Sequence, residues 1–144
     1  MKAVIQRVQR AAVTAGDRRS AIGPGLLVLA GLETGDTQAQ CQWAAAKIAG
    51  LRVFEDAEGK MNLSLAEHGG EVLAVSQFTL AGSIAKGRRP SFDGAMAPEA
   101  ARVLFEHFVA CLRAEGCAVA TGFFQEHMAV DLVNDGPVTF ILER

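Results

Sequence analysis

Apolar and polar positions follow two rhythms along the chain. Near the C-terminal end, Met128, Val130 and Leu132 alternate with Ala129, Asp131 and Val133, and Val138-Thr139-Phe140-Ile141-Leu142 follows shortly after. Alternation and β-branched content predict a strand in each segment. At the other end, Ala3 to Val8 predicts a strand in which Val4 and Val8 flank polar Gln6 while Ile5 faces the other way with Arg7. Ala11 to Thr14 predicts a second short strand. The unbroken runs Leu26–Ala30 and Val72–Val75 predict strands buried on both faces. Leu51–Phe54 and Cys117–Thr121 complete the set. Helical spacing occurs twice. Cys41, Ala44, Ala45 and Ile48 form one stripe, with Asp36 or Thr34 as the N-cap and Gly50 at the end. Ala101, Leu104, Phe105, Phe108 and Leu112 form the other, opened by Pro98 and stopped by Gly116.

Turns are predicted at Gly16–Arg19, Asp56–Lys60 and Glu67–Gly70, and a long loop from Ala81 to Ala97. The order is strands, helix, strands, helix, strands. That is an α+β pattern, simplest as a mostly antiparallel or mixed sheet curled towards a barrel with two helices packed outside. No repeat or linker divides the chain, so residues 1–144 read as one domain.

Composition narrows the class. With 144 residues, 50% of them hydrophobic and 21% charged, the chain is long and apolar enough for a real core. A formal net charge of −2 argues against coating nucleic acid through bulk charge. It leaves open the recognition of a single nucleic-acid end, which needs only stacking and a few cations. Cys41, Cys111 and Cys117 show no metal-ligand spacing and suit reduced thiols in a cytoplasmic protein. No leader pattern and no membrane-spanning run is evident.

Chemistry concentrates in three stretches. The first is Asn134-Asp135-Gly136-Pro137-Val138-Thr139, between the last two strand patterns. Asp-Gly there resembles a tight turn, but Pro137 has no N–H to give to the ladder where pairing should resume. On these residues alone, an edge proline in an ordinary connection and a cis Gly136-Pro137 bond both stay open. The second is Ser76-Gln77-Phe78-Thr79-Leu80, polar groups at the end of a buried strand. The third is Lys86-Gly87-Arg88-Arg89-Pro90-Ser91-Phe92, whose cations and aromatic suit a phosphate and a base, or simply solvent. Gly-x-Ser-x-Gly, HExxH and phosphate-loop motifs are absent, and His68, His107 and His127 have no neighbour that would orient them as a base. No metal or cofactor is expected. An enzyme with this sequence would work through positioned backbone groups and polar side chains.

The first two stretches together resemble the motif pair of the D-aminoacyl-tRNA deacylases, of the bacterial and eukaryotic type. The resemblance runs through Ile5-Gln6-Arg7-Val8, Gly25–Leu29, Asp56–Leu63 and Gly87–Phe92 and so covers essentially the whole chain. It implies a homodimer with its site at the subunit interface, and an aminoacyl-tRNA acceptor end as substrate. A cis Gly136-Pro137 would reach into the partner's site, its carbonyls holding the α-amino group. Asn134, Val138 and Thr139 would frame it, and Gln6 and Arg7 would support it. An L side chain would collide with this element and a D side chain would not. Glycine has no side chain to exclude, so glycyl-tRNA mischarged on alanine tRNA is also implied as a substrate. The implied donors to the ester carbonyl are the N–H groups of Phe78 and Thr79. Ser76 and Gln77 would meet the terminal adenosine, and Met128 is a weaker candidate for a contact to the tRNA. Arg88, Arg89 and Phe92 are weaker candidates for contacts to the tRNA. The chain departs from the family pattern at Gln125-Glu126-His127, where relatives carry small residues and Asp, and at Ala12, often Ser.

Two other readings compete. One is a non-catalytic dimeric module that binds an RNA end. The other is a small-ester hydrolase with Thr79 or Ser76 as nucleophile, which lacks an activating base.

Overall fold

The computed structural model of the protein describes residues 1–144. The chain runs β1 (Lys2–Ala15), β2 (Arg18–Ile22), β3 (Gly25–Gly31), α1 (Gln38–Ala49), β4 (Phe54–Glu55), β5 (Met61–Leu63), α2 (Leu65–His68), β6 (Glu71–Ser76), α3 (Pro98–Ala114), β7 (Ala118–Thr121) and β8 (Ala129–Glu143). The main sheet has the order β2-β1-β3-β6-β7, with β8 on the free edge of β1. Pairing of β1 with β2, β3 and β8 is antiparallel, and that of β3 with β6 and β6 with β7 is parallel. The result is a nearly closed, barrel-like mixed sheet, as the strand pattern predicts.

The runs predicted to be buried on both faces behave so for a visible reason. In β3, Leu26, Val28 and Ala30 face the helices while Leu27 faces the barrel interior; in β6, Val72 and Ala74 divide from Leu73 and Val75 in the same way. The helix side is the larger core. It takes Cys41, Ala44, Ala45 and Ile48 from α1 and Ala101, Leu104, Phe105, Phe108 and Leu112 from α3, the predicted stripes. Each large side chain fully buried there, such as Phe108, contributes about 1.5–3 kcal/mol.

Several expectations need correction. The strands predicted at residues 3–8 and 11–14 are one strand, because the ladder steps over exposed Gln9 and resumes at Arg10, opposite Val133. The N-cap of α1 is Thr37, not Asp36 or Thr34. Its hydroxyl accepts from the Ala39 N–H, and Gln40 reaches back to the Thr37 N–H. Asp36 instead binds the Met1 ammonium at 2.6 Å and the Glu33 N–H at 2.7 Å. Three helices form, not two. Glu67–Gly70, expected as a turn, lies in and after α2, which Ser64 and Glu67 close with a capping box and Gly69 ends at φ 76°. Of the strand expected at Leu51–Phe54, only Phe54 is in β4, because the Val53 carbonyl is taken by Arg7.

The largest correction concerns the C-terminal segments. They are not two strands joined by a connection but one strand, β8, that follows β1 along nearly its whole length. Gln6 pairs with Thr139 and Val8 with Asn134, so Arg7 alone lies opposite the four residues Asp135, Gly136, Pro137 and Val138. The strand continues past a wide bulge, and the Gly136-Pro137 peptide in it is cis.

Candidate functional site

Arg7 anchors the bulge. It is the one buried charged residue of the chain, 5% exposed, because it shares the inward face of Ile5. Its Nη1 donates to the Val53 carbonyl at 2.6 Å and its Nε to the Asp135 carbonyl at 3.2 Å. The Asp135 carboxylate lies 3.1 Å from Nε, and Glu55 lies 3.5 Å from Nη2. A planar guanidinium with five donors suits this convergence, and a lysine ammonium would not fill it. Asn134 ties the base of the bulge. Its Nδ2 donates to the carbonyls of Arg7 at 2.9 Å and Val138 at 3.2 Å, standing in for ladder bonds that the extra residues interrupt. Gln6 closes the far side by donating to the Thr139 hydroxyl at 3.2 Å, and Gln9 donates to Asp135. Gly136 sits at φ 129°. A Cβ there would lie 2.7 Å from Val138 Cγ2 and 2.9 Å from its backbone nitrogen. Val138 is buried, while Gly136 and Pro137 project into solvent.

Ser76 ends β6, and a 3-10 turn over Phe78–Ala81 follows with Gln77 as its cap. The Gln77 N–H donates to the Ala30 carbonyl at 2.8 Å, which fixes where the turn starts. The first N–H groups of such a turn have no partner within it. Those of Phe78 and Thr79 donate to nothing else in the chain. Gly31 makes the close approach possible, since a Cβ there would lie 2.8 Å from Leu80 Cβ and 2.9 Å from the Gln77 carbonyl oxygen. The Gln77 amide donates to the Thr79 hydroxyl, the only hydrogen-bond partner of that hydroxyl. No His, Asp or Glu hydrogen-bonds to Ser76 or Thr79. His68 stacks on Phe54 at 4.2 Å, and His107 lies 3.4 Å from the Cys111 thiol. The thiols make poor nucleophiles, since burial pushes Cys41 up to about 11 and raises Cys111 and Cys117 as well.

A cleft of about 610 Å³ opens beside this turn. Ser76, Gln77 and Phe78 form one wall, and Met96, Phe124, Met128 and Gln125-Glu126-His127 form the others. It is mostly apolar with a few polar groups among its walls, the usual make-up of a small-molecule or nucleoside pocket. Ser76, Gln77, Phe78 and Met128 are thus brought together. Thr79, Gln6, Arg7 and the bulge residues do not line the cleft. Phe92 packs edge-on against Phe78 at 5.1 Å, so the aromatic of the basic loop reaches the site. Arg88 and Arg89 are exposed and make no ion pair. Three contributors escape a reading of the sequence. Val53 acts through a carbonyl, Glu55 lies in a two-residue strand, and Phe124 looks like core. Only Asp135, inside the motif, carried a signal.

The model of the D-Tyr-tRNA(Tyr) deacylase family matches residues 4–143 of this chain. D-aminoacyl-tRNA deacylases from Pelobacter propionicus and Geobacter sulfurreducens are 61% and 59% identical to it. The first alignment covers all of both chains, the second 99% of this chain and 95% of the relative. The solved structure of c-Myc DNA Unwinding Element Binding Protein superposes with a TM-score of 0.93 at 44% identity, covering 100% of this chain and 99% of the other. A probable eukaryotic D-amino acid tRNA deacylase superposes at 0.83, covering 98% and 97%; at 19% identity that likeness concerns the fold alone.

Proposed function

This chain belongs to the D-Tyr-tRNA(Tyr) deacylase family and is a hydrolase of D-aminoacyl-tRNA, and we propose that it cleaves the ester in the cleft beside Phe78 and reads chirality with the bulge at Gly136-Pro137. The observation that carries the chemistry is the pair of unpartnered N–H groups on Phe78 and Thr79. An ester carbonyl gains negative charge as it is attacked, and two preorganised backbone donors stabilise that charge without needing to reorient. The terminal adenosine stacks between Phe124 and Met128, with Ser76 and Gln77 in the wall beside it. Thr79 is not the nucleophile, because its hydroxyl accepts from Gln77 and no base adjoins it. Water attacks, assisted by the 2′-hydroxyl of the substrate.

The bulge supplies selection. Its exposed carbonyls hold the α-amino group, and its backbone occupies the space an L side chain would need. Glycine passes, so glycyl-tRNA mischarged on alanine tRNA is a second substrate. The cleft and the bulge have no lining residue in common, so the working site is completed by a second copy of the chain that inserts its own bulge. The edge of the sheet supports this. β8 is hydrogen-bonded on one side only, over fifteen residues, and carries exposed Val130, Phe140 and Ile141. A long apolar edge of this kind is a pairing surface. The enzyme acts in the cytoplasm, where aminoacyl-tRNA is found; no helix is long and apolar enough to cross a membrane.

The test is hydrolysis of D-tyrosyl-, L-tyrosyl- and glycyl-tRNA by purified protein with EDTA present. Loss of the D and glycyl esters with the L ester spared supports the reading. Equal loss of D and L esters removes the bulge as the filter. The similar structure named for binding a DNA element gives one observation to a binding-only module. A folded dimer that binds an acceptor end but hydrolyses none of the three esters would favour that module.

A further inference from the structure

A second pocket, of about 460 Å³, lies between α3 and the Gly122–Glu126 segment, against the cleft, with Phe124 and Glu126 in both walls. Three arginines enter it in a chain whose overall charge is −2. Two lie over aromatic rings. The Arg18 guanidinium carbon sits 4.5 Å from the centre of Phe123, and that of Arg102 sits 4.5 Å from the centre of Phe124. Stacking holds a guanidinium by its face and leaves its N–H edge free to bond. Each arginine uses one nitrogen within the chain. Arg18 pairs with Glu126, Arg102 donates to the Gln125 side chain at 3.4 Å, and Arg113 donates to the Val119 carbonyl at 3.2 Å. Each keeps its other donors. Two carboxylates, Glu106 and Glu126, face the same space, so one positive charge remains uncompensated. Gln125 belongs to the arrangement. It stands at φ 60°, a left-handed conformation uncommon for a side-chain-bearing residue, and its side chain accepts from Arg102.

We propose that this pocket is an RNA phosphodiester site, which takes the backbone phosphates of the nucleotides preceding the terminal adenosine. The proposal rests on the deacylase reading of the neighbouring cleft, since only a nucleoside in that cleft leads a chain past Phe124 towards the arginines. Fork-shaped donors held on rings suit phosphate oxygens. No hydrogen-bonding base edge is needed, so the site reads backbone and not sequence.

Two substrates separate the pocket from the cleft: D-tyrosyl-tRNA and D-tyrosyl-adenosine, which carries the same ester and no phosphate. In the doubly substituted Arg18→Gln/Arg102→Gln protein, KM for the tRNA should rise about tenfold with kcat unchanged. The fall of log(kcat/KM) with log salt should become shallower by about 0.7 for each phosphate the variant no longer holds. Kinetics on the adenosine ester should not move. Arg102→Lys, which keeps the charge, should recover part of the loss. Unchanged KM and salt slope on the tRNA would overturn the proposal. So would an equal loss on both esters, which marks the arginines as supports of the cleft. If the unsubstituted protein cleaves neither ester, the deacylase reading fails on its own. The pocket is then judged by fluorescence anisotropy with a labelled single-stranded RNA ending in CCA. Weaker binding by the double variant upholds it, and equal binding, or displacement only by polyglutamate, ends it.

Discussion

Arg7 and Phe78 mark the two parts of the candidate site, and they are held by opposite means. Around Arg7 the backbone leaves its regular ladder, and side chains restore the missing bonds: Arg7 itself, Asn134, Gln6 and Gln9 all bond into the bulge. Around Phe78 the side chains stand outward, with Phe78 57% exposed, and the proposed working groups are backbone N–H groups set by a strand end and a close glycine. A bulge opposite a single residue has few backbone bonds of its own and must be tied by side chains. A 3-10 turn presents its first donors as a matter of geometry. Side-chain changes should therefore damage the first part and spare the second.

The strongest break is expected at Gly136→Ala. The added Cβ meets Val138 at 2.7 Å, and φ of 129° disfavours any side chain. Displacement of the bulge by even part of an ångström should lower D-tyrosyl-tRNA hydrolysis roughly 100-fold, measured by single-turnover kinetics with circular dichroism as the check on folding. Arg7→Lys comes next. Losing the forked bonds to Val53 and Asp135 should cost about 2 kcal/mol of stability in urea unfolding and narrow the ratio of D to L hydrolysis. At the turn, Gly31→Ala tests whether backbone position matters there. The turn must shift away from Leu80 Cβ, so kcat should fall about tenfold with the D to L ratio kept. Smallest is Thr79→Ala, which removes a hydroxyl but no N–H. Hydrolysis should stay within about fivefold of the starting rate. Near-complete loss in a folded protein would make the hydroxyl, and not the backbone, the working group.

What could be read from the sequence follows from where each cause lies. The strands β3 and β6 were legible because burial on both faces leaves an unbroken apolar run. The stripes of α1 and α3 were legible because helical spacing is local. Pro137 inside a strand pattern signalled that the ladder is interrupted. It did not signal that β8 resumes on the same partner, because that partner, β1, lies at the opposite end of the chain. Arg7 could be placed on the face of Ile5, but its carbonyl acceptors on Val53 and Asp135 arise only in the folded chain. Ser76 to Thr79 could be recognised at the strand end, yet the cleft beside them was hidden, since Phe124 and Met96 look in sequence like any other core residues.

The bond from Asn134 to Arg7 spans 127 positions of sequence. During synthesis β1 is made well before the segment that completes it. Until then β1 lacks its neighbour on one whole edge and Arg7 lacks its bulge. Pairings between such distant segments form slowly. A chain in which β8 has not yet been made therefore has no bulge. Whatever discrimination the bulge confers arrives only once β8 has been made and paired.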